Sequence, residues 1–215
     1  MRIELPNSWD GITISMLQEL YPILITKGDL IERAYSRVSV LSGVPLDVVR
    51  GIKFSDIKAM SSKLSFLDEL NGLEHKSKYF YIDGHRYHWD GDFNNMIADQ
   101  YTSFMKVLKD CNRDDNLIIQ NLHRFLACVV IKDVKKGKKW KDGEFNGDNF
   151  NEHLKLCKYE LPTSVGFPIA VFFYNYFRKL ILNMKSYGSQ KLTEAEEIIA
   201  TVQKDLRRFG GGMSH

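Results

Sequence analysis

Cysteine is scarce in this sequence, and the few residues present follow no disulfide or metal-binding pattern. The three cysteines are Cys111, Cys128 and Cys157, an odd number in which no pair forms the CxxC motif of a zinc knuckle. Cys128 lies within the apolar run FLACVVI, where a thiol usually serves as a small core residue. The sequence therefore predicts neither a disulfide framework nor a metal site, and a reducing, intracellular environment is the expectation.

Long hydrophobic runs are also missing. The most apolar stretch extends unbroken from Val165 to Phe173, far short of the roughly 20 residues that a membrane-spanning helix needs. The first residues, MRIELPNSWD, contain no apolar segment of the kind found in signal peptides. We therefore expect neither a membrane span nor a signal peptide.

Neither sign of charge dominates. The net charge of +3 is too small to indicate nucleic acid binding by itself. A hydrophobic fraction of 44% and a charged fraction of 27% are typical of a soluble globular protein.

The motifs of common catalytic and cofactor sites are missing as well. The sequence contains no GxxxxGK[ST] or GxGxxG loop for phosphates, and no GxSxG, HExxH or DxDxDG. His85 and His88 lie three apart on a predicted strand and should point to opposite faces. His153 and Cys157 share a helix face, but no third orienting group accompanies them. We therefore predict no catalytic residue, cofactor or metal ligand, and expect that the protein is not an enzyme.

Helical periodicity dominates the chain. The longest apolar stretch, residues 162–187, contains Pro168, which suits the first turn of a helix. Because its apolar residues cover almost every side, we expect this central helix to be buried all round. Further helices are predicted at residues 12–25, 30–42, 56–70, 97–111, 117–131, 150–159 and 194–209.

Two segments predict strands instead. Residues 78–89, KYFYIDGHRYHW, contain two alternating runs around Asp83-Gly84, a pair that tight hairpin turns favour. Residues 132–149 are polar and contain glycine, which is typical of a loop or a second small hairpin. The predicted fold class is therefore mainly α, a helical domain with one or two small β-hairpins.

The triplet Trp-Asp-Gly occurs twice, at residues 9–11 and 89–91, and each copy precedes two predicted helices. The repetition is consistent with two lobes derived from a decayed duplication. We accordingly predict an N-terminal helical lobe at residues 1–75 and a second lobe at 76–215, built on the 162–187 helix. A single compact domain is the alternative.

Lysines cluster in the polar segment at residues 132–141. Lysines interleaved with an aromatic residue offer what a nucleic acid backbone and an unstacked base require. Nearby carboxylates dilute this charge, and a solvated loop explains the same pattern. The residues that would bind nucleic acid are Lys135, Lys136, Lys138, Lys139 and Trp140.

The order of the predicted helices resembles that of phage tail assembly chaperones and related tail-module proteins. In that family, a helix ending in a short Leu-Thr-Gly-like turn precedes a small helix and a longer helix with the pattern sDi…l…L.fL. The matching residues in this chain are Leu41-Ser42-Gly43, Leu46 to Val49, Ser55-Asp56-Ile57 and Leu64 to Leu67.

The later part of the chain carries the same resemblance. YFYIDGHRY followed by IADQYTSFMKVL is similar to the family's strand, turn and helix, with Ala98, Gln100 and Tyr101 matching. NLHRFLACVVI and LPTSVGFPIAVFFYNYF resemble two further helices of the family. The similarity extends over about residues 8–180 and carries no catalytic residues.

The resemblance implies a non-enzymatic phage morphogenesis protein that binds other tail proteins in the host cytoplasm. Such chaperones keep tail proteins, especially the tape-measure protein, soluble until the tail tube polymerises, which requires an exposed apolar groove. No cofactor, small-molecule substrate or membrane is implied, and a homo-oligomer is compatible with this role. Ordinary core packing is the other explanation for the groove candidates, which are Leu17, Tyr21, Tyr101, Phe104, Tyr174 and Tyr176.

Two alternatives stay open. A structural connector or ring protein of the phage particle would also be helical and non-enzymatic, but it would be found in the virion. A nucleic-acid-binding protein that uses the lysine segment at 132–141 is the less favoured of the two.

Overall fold

A computed structural model describes residues 3–74, 77–92, 95–111 and 115–176. Within these ranges helices predominate and two small antiparallel sheets accompany them, which confirms the predicted mainly α fold class. No helix in this part of the chain is both long and apolar enough to cross a bilayer.

Helices and strands alternate along the chain in several blocks. The helices are α1 (Ile14–Ile25), α2 (Leu30–Ser42), α3 (Leu46–Arg50), α4 (Phe54–Lys63), α5 (Ala98–Asp110), α6 (Asp115–Gln120), α7 (Leu122–Val129), α8 (Phe150–Tyr159) and α9 (163–176). The strands are β1 (Tyr79–Ile82), β2 (His85–Trp89), β3 (Val130–Lys132), β4 (Val134–Lys136) and β5 (Lys139–Lys141).

The chain divides into two compact units, residues 1–170 and 171–215. The two Trp-Asp-Gly triplets differ in local structure: residues 9–11 form a short 3-10 helix, whereas Trp89 ends strand β2. The predicted lobes at 1–75 and 76–215, and the duplication behind them, stay a prediction.

The first two helices begin and end where their local chemistry predicts. The Thr13 side chain accepts a hydrogen bond from the Met16 backbone N–H at the start of α1, and Asp29 accepts one from Ile31 at the start of α2. Gly43 ends α2 in the left-handed conformation, with a φ of 67°.

Several predicted helix boundaries are wrong. Helix α4 begins at Phe54 instead of after Ser55, because the Lys53 carbonyl already accepts helical hydrogen bonds. It ends at Lys63 instead of residue 70, and a 3-10 helix follows at Ser65–Gly72. The segment 117–131 breaks at Asn121, and its last residues enter β3, since β-branched residues favour extended backbone beside a partner strand. Pro168 lies inside α9 rather than in its first turn, because α9 already begins at residue 163.

Helix α9 is not buried all round, contrary to prediction. Ile169 is fully buried, whereas Val171 and Phe172 expose 38% and 39% of their surface. Apolar composition alone does not determine which side chains of a helix find packing partners. The predicted continuation to residue 187 and the predicted helix at 194–209 lie outside the described residues.

The core of the first unit forms where α1 meets the start of α9. The Ile12 carbonyl accepts a hydrogen bond from Thr163 N at 2.7 Å, and the Leu161 carbonyl accepts one from Ile14 N at 3.2 Å. These bonds set the starting point of α9. The fully buried side chains of this region include Ile14, Leu17, Leu20, Leu126 and Leu161.

A buried amide links α1 to the break between α6 and α7. Gln18 is only 5% exposed, and its Nε2 donates to the carbonyl oxygens of Ile119 at 3.0 Å and Gln120 at 2.8 Å. The same Nε2 lies 2.9 Å from His123 Nδ1, so the two N–H groups of this amide are shared among three neighbouring acceptor atoms. Burial, with Lys158 and Arg124 nearby, lowers the pKa of His123 to about 4 and keeps the ring neutral.

Because of His123, we expect the free energy of unfolding to decrease as the pH falls from about 7 to about 4. Because the pKa of His123 is lowered from 6.5 to about 4 by folding, the unfolded chain binds a proton first and gains stability relative to the native state. Solvent screening of the partly exposed ring limits the loss to about 1–2 kcal/mol. Urea unfolding at several pH values should show this loss in the wild type and not in His123→Gln; equal pH dependence of the two would contradict it.

Candidate functional site

The β1–β2 hairpin forms where it was predicted. It is part of the sheet that supports the candidate site, a cleft described below. Asp83 and Gly84 have φ values of 47° and 72°, the pair of positive values that a type I′ turn requires. The register pairs Tyr79 with His88 and Tyr81 with Arg86, so these four side chains share one face of the sheet. His85, paired with Ile82, points to the other face, as predicted.

Strand β3 joins this hairpin as a third antiparallel strand beside β2. On the inward face, the rings of Phe80 and Tyr87 stack with their centroids 5.9 Å apart. Tyr87 is 1% exposed, and burial raises its pKa to about 12. This face therefore gives the site a rigid apolar floor.

Asp133, between β3 and β4, is the centre of a buried charge network. Its carboxylate accepts hydrogen bonds from Arg86 Nε, from His88 Nδ1 at 2.6 Å and from the Gly143 backbone N–H at 3.0 Å. The Asp133 side chain is fully buried, and that of Arg86 is 16% exposed. Arg86 Nη2 also donates to Asp142 at 3.0 Å, so one guanidinium joins two carboxylates.

Asp142 extends the network to the first strand. Its carboxylate accepts hydrogen bonds from the Tyr79 hydroxyl at 3.1 Å and from Lys78 Nζ at 3.4 Å. Although desolvation acts to raise it, the pKa of Asp142 is lowered by these two hydrogen bonds. The network therefore ties both ends of the β4–β5 hairpin to the three-stranded sheet.

Three of these residues also have the chemistry of metal ligands. His88, Asp133 and Asp142 place candidate ligand atoms within 4.8 Å of one another. The Arg86 guanidinium binds both carboxylates and occupies the position that a metal cation would take. We therefore interpret the cluster as a structural ion-pair network.

A cleft of about 790 Å³ opens between the sheet, the segment after β5 and helix α8. Such a volume lies in the range of pockets that bind small molecules and cofactors. Phe145 and Phe150 meet edge to face in it, with centroids 6.4 Å apart. Its apolar lining also includes Tyr87, Val130 and Leu156, and its charged rim includes Lys132, Lys135, Glu144 and Glu152.

The His153 and Cys157 pair on α8 is part of the packing around this cleft. His153 Nε2 donates to the Val130 carbonyl, and burial lowers the pKa of the ring. Cys157 is fully buried, and burial raises the pKa of its thiol. A protonated, inaccessible thiol does not act as a nucleophile, so this geometry does not support a Cys–His catalytic pair.

The structure divides the predicted lysine set between the two faces of the β4–β5 hairpin. The register pairs Lys135 with Trp140, and Lys136 with Lys139. The Trp140 ring lies 6.3 Å from that of Tyr81 and 5.9 Å from the Arg86 guanidinium, so Trp140 packs against the sheet.

Sequence reasoning left Lys141 out of the predicted binding residues. It pairs with Val134 and shares a face with Lys136 and Lys139. The two-residue period of a strand, counted from Lys139, is the signal that would have found it. Lys138 follows Gly137, whose φ of 64° fits a tight two-residue turn.

The groove residues taken from the family resemblance divide into two sets. Leu17 and Phe104 are 0% and 1% exposed and belong to the core, so for these two the core explanation is correct. Tyr101 and Tyr176 expose 37% and 38% of their surface, while Tyr21 and Tyr174 are half-buried.

Comparisons of the chain with protein-family models, with curated proteins and with solved structures gave no match. The functional interpretation therefore depends on the residues and on the geometry of the site.

Proposed function

We propose that this protein is a non-enzymatic assembly protein that binds a segment of another protein in the cleft, most like a phage tail assembly chaperone. The observation that carries the proposal is the cleft itself, with aromatic lining at Phe145 and Phe150 and charges of both signs at its rim. Its partners are other tail proteins, and it acts in the host cytoplasm.

The cleft has the physical properties of a protein-binding groove. Phe145 and Phe150 are half-buried, so a partner's apolar side chain covers their remaining surface and removes it from water. Lys132 and Lys135 lie with Glu144 and Glu152 at the rim of the cleft. A partner segment with charged residues on either side of its apolar residue can therefore be recognised through complementary charges.

The scaffold around the cleft is held in place before any partner arrives. The Asp133 network fixes the β4–β5 hairpin at one side, and His153 fixes α8 to the Val130 carbonyl. A preorganised groove loses less conformational entropy on binding than a mobile one. This preorganisation supports binding of a partner segment in the cleft.

The double variant Phe145→Ser, Phe150→Ser should weaken capture of tail proteins by at least about tenfold, since each aromatic anchor contributes on the order of 1–2 kcal/mol. The measurement is affinity purification of the tagged protein from phage-infected cells, with mass spectrometry of the captured proteins. The matched control is Phe54→Ser, Tyr159→Ser, which removes two exposed aromatic residues outside the cleft.

Mass spectrometry of finished particles separates the chaperone from the connector or ring protein. A chaperone is absent from particles, whereas a fixed copy number in the virion would favour the structural alternative. Capture of no tail protein by the wild type, or equal capture by both double variants, would contradict the cleft as the binding site.

A further inference from the structure

One face of the β4–β5 hairpin carries positive charge alone. Lys136, Lys139 and Lys141 project from this face beside Val134, and Lys138 stands in the turn. These four lysines, which we name the lysine face, are all exposed. None of them forms an ion pair with a residue in the described ranges.

The arrangement is unfavourable without an anion. Lys136 and Lys139 are directly opposite each other across the two strands, and like charges in this position destabilise an antiparallel pair. Lys139 and Lys141 repeat the charge two residues apart, about 7 Å along a strand. A regular row of cations matches a partner that carries regularly repeated negative charge.

The carboxylates that flank the two strands, Asp133 and Asp142, do not neutralise the lysine face. Asp133 is buried and bound by Arg86, His88 and the Gly143 N–H. Asp142 is bound on the sheet side of the hairpin by Arg86, Tyr79 and Lys78. The network that holds the hairpin therefore uses both carboxylates and leaves the positive charge of the lysine face available.

We infer that the lysine face binds the phosphate backbone of double-stranded DNA without reading its sequence. Lysine is depleted in protein–protein interfaces, whereas it serves as a point charge for phosphates. Trp140 points to the opposite face and packs against Tyr81 and Arg86, so no ring on the lysine face offers a stacking platform for single-stranded bases. None of the four lysines lines the cleft, so the inference does not depend on the function proposed for the cleft.

Fluorescence anisotropy with a labelled duplex of about 20 base pairs tests the inference. Four phosphate contacts predict a slope of about −3.6 for log Kobs against log salt, or a loss of about 100-fold in affinity between about 50 and 200 mM KCl. The variant K136Q/K138Q/K139Q/K141Q should lose at least about tenfold in affinity at about 50 mM KCl. The corresponding four-arginine variant should keep binding, because it keeps the charge.

The control variant K27Q/K58Q/K63Q/K106Q removes the same charge from exposed positions outside the hairpin and should bind like the wild type. Three results would overturn the inference: no binding by the wild type at low salt, equal loss in both glutamine variants, or no loss in the hairpin variant. A polyglutamate peptide tests the other class of partner. If it binds the wild type while duplex DNA does not, the face recognises acidic protein, and the inference is wrong.

Discussion

Replacing Asp133 by alanine should destabilise the protein by about 3 kcal/mol or more, because it leaves a buried guanidinium without its principal partner. Asp133 is fully buried at its side chain and bonds to three donors, among them Arg86 and His88. Removing one partner of a buried ion pair typically costs about 3–5 kcal/mol. Since Arg86 is 16% exposed, water solvates part of its charge, and we expect the lower end of this range.

Urea unfolding followed by circular dichroism measures this effect. The matched control is Asp142→Ala, which removes a carboxylate bound by the same Arg86 but 44% exposed. An exposed ion pair contributes on the order of 1 kcal/mol or less. Equal destabilisation by the two variants would show that burial of Asp133 is not the source of its effect.

A double-mutant cycle separates the pair from the rest of the network. The losses of stability caused by Arg86→Ala and Asp133→Ala should be strongly non-additive. We expect the free energy of unfolding of the double variant to be less than about 1 kcal/mol below that of the less stable single variant. Additive losses would mean that Arg86 and Asp133 stabilise the fold through different contacts.

Replacing Gly166 by leucine should destabilise the protein by about 2–3 kcal/mol, against the direction that helix propensity predicts. Gly166 is buried in helix α9. In an exposed helix, leucine would be more favourable than glycine by nearly 1 kcal/mol.

The side chains around Gly166 make the same substitution destabilising. A Cβ atom at this position would lie 2.9 Å from Ile14 Cδ1, 3.0 Å from Leu161 Cδ2 and 3.1 Å from Leu126 Cδ1. All three neighbours are fully buried and have little room to move, and overpacking a core typically costs about 1–3 kcal/mol. Leucine adds three further carbons beyond this Cβ at a position that is already closely packed.

Gly147→Leu is the control for this substitution, since a Cβ at Gly147 meets no atom within 4 Å. We expect its free energy of unfolding to stay within about 0.5 kcal/mol of the wild type. A Gly166→Leu variant as stable as the wild type, or more stable, would show that helix propensity outweighs the close packing of α9.

Sequence reasoning found most elements of the fold but not the contacts that build the site. The hairpin at Asp83-Gly84 and the α8 segment are where they were predicted. Strand β3 was taken for the end of a helix, because Val130 and Ile131 continue an apolar helical pattern until β2 provides a hydrogen-bonding partner. The cleft needs β3, so it was not visible in the sequence.

Features with a local cause can be predicted from the residues involved. Gly43 ends α2 and Gly84 completes a tight turn because each accepts a positive φ; Thr13 caps α1 with its own hydroxyl. The charge pairs of the site, in contrast, form between segments that are distant in the sequence. Arg86 and Asp133 are 47 positions apart, and contacts with Tyr81 and Arg86 decide that the Trp140 face of the β4–β5 hairpin is the one that packs on the sheet. Such pairings depend on distant segments folding onto one another, and local propensity does not encode them.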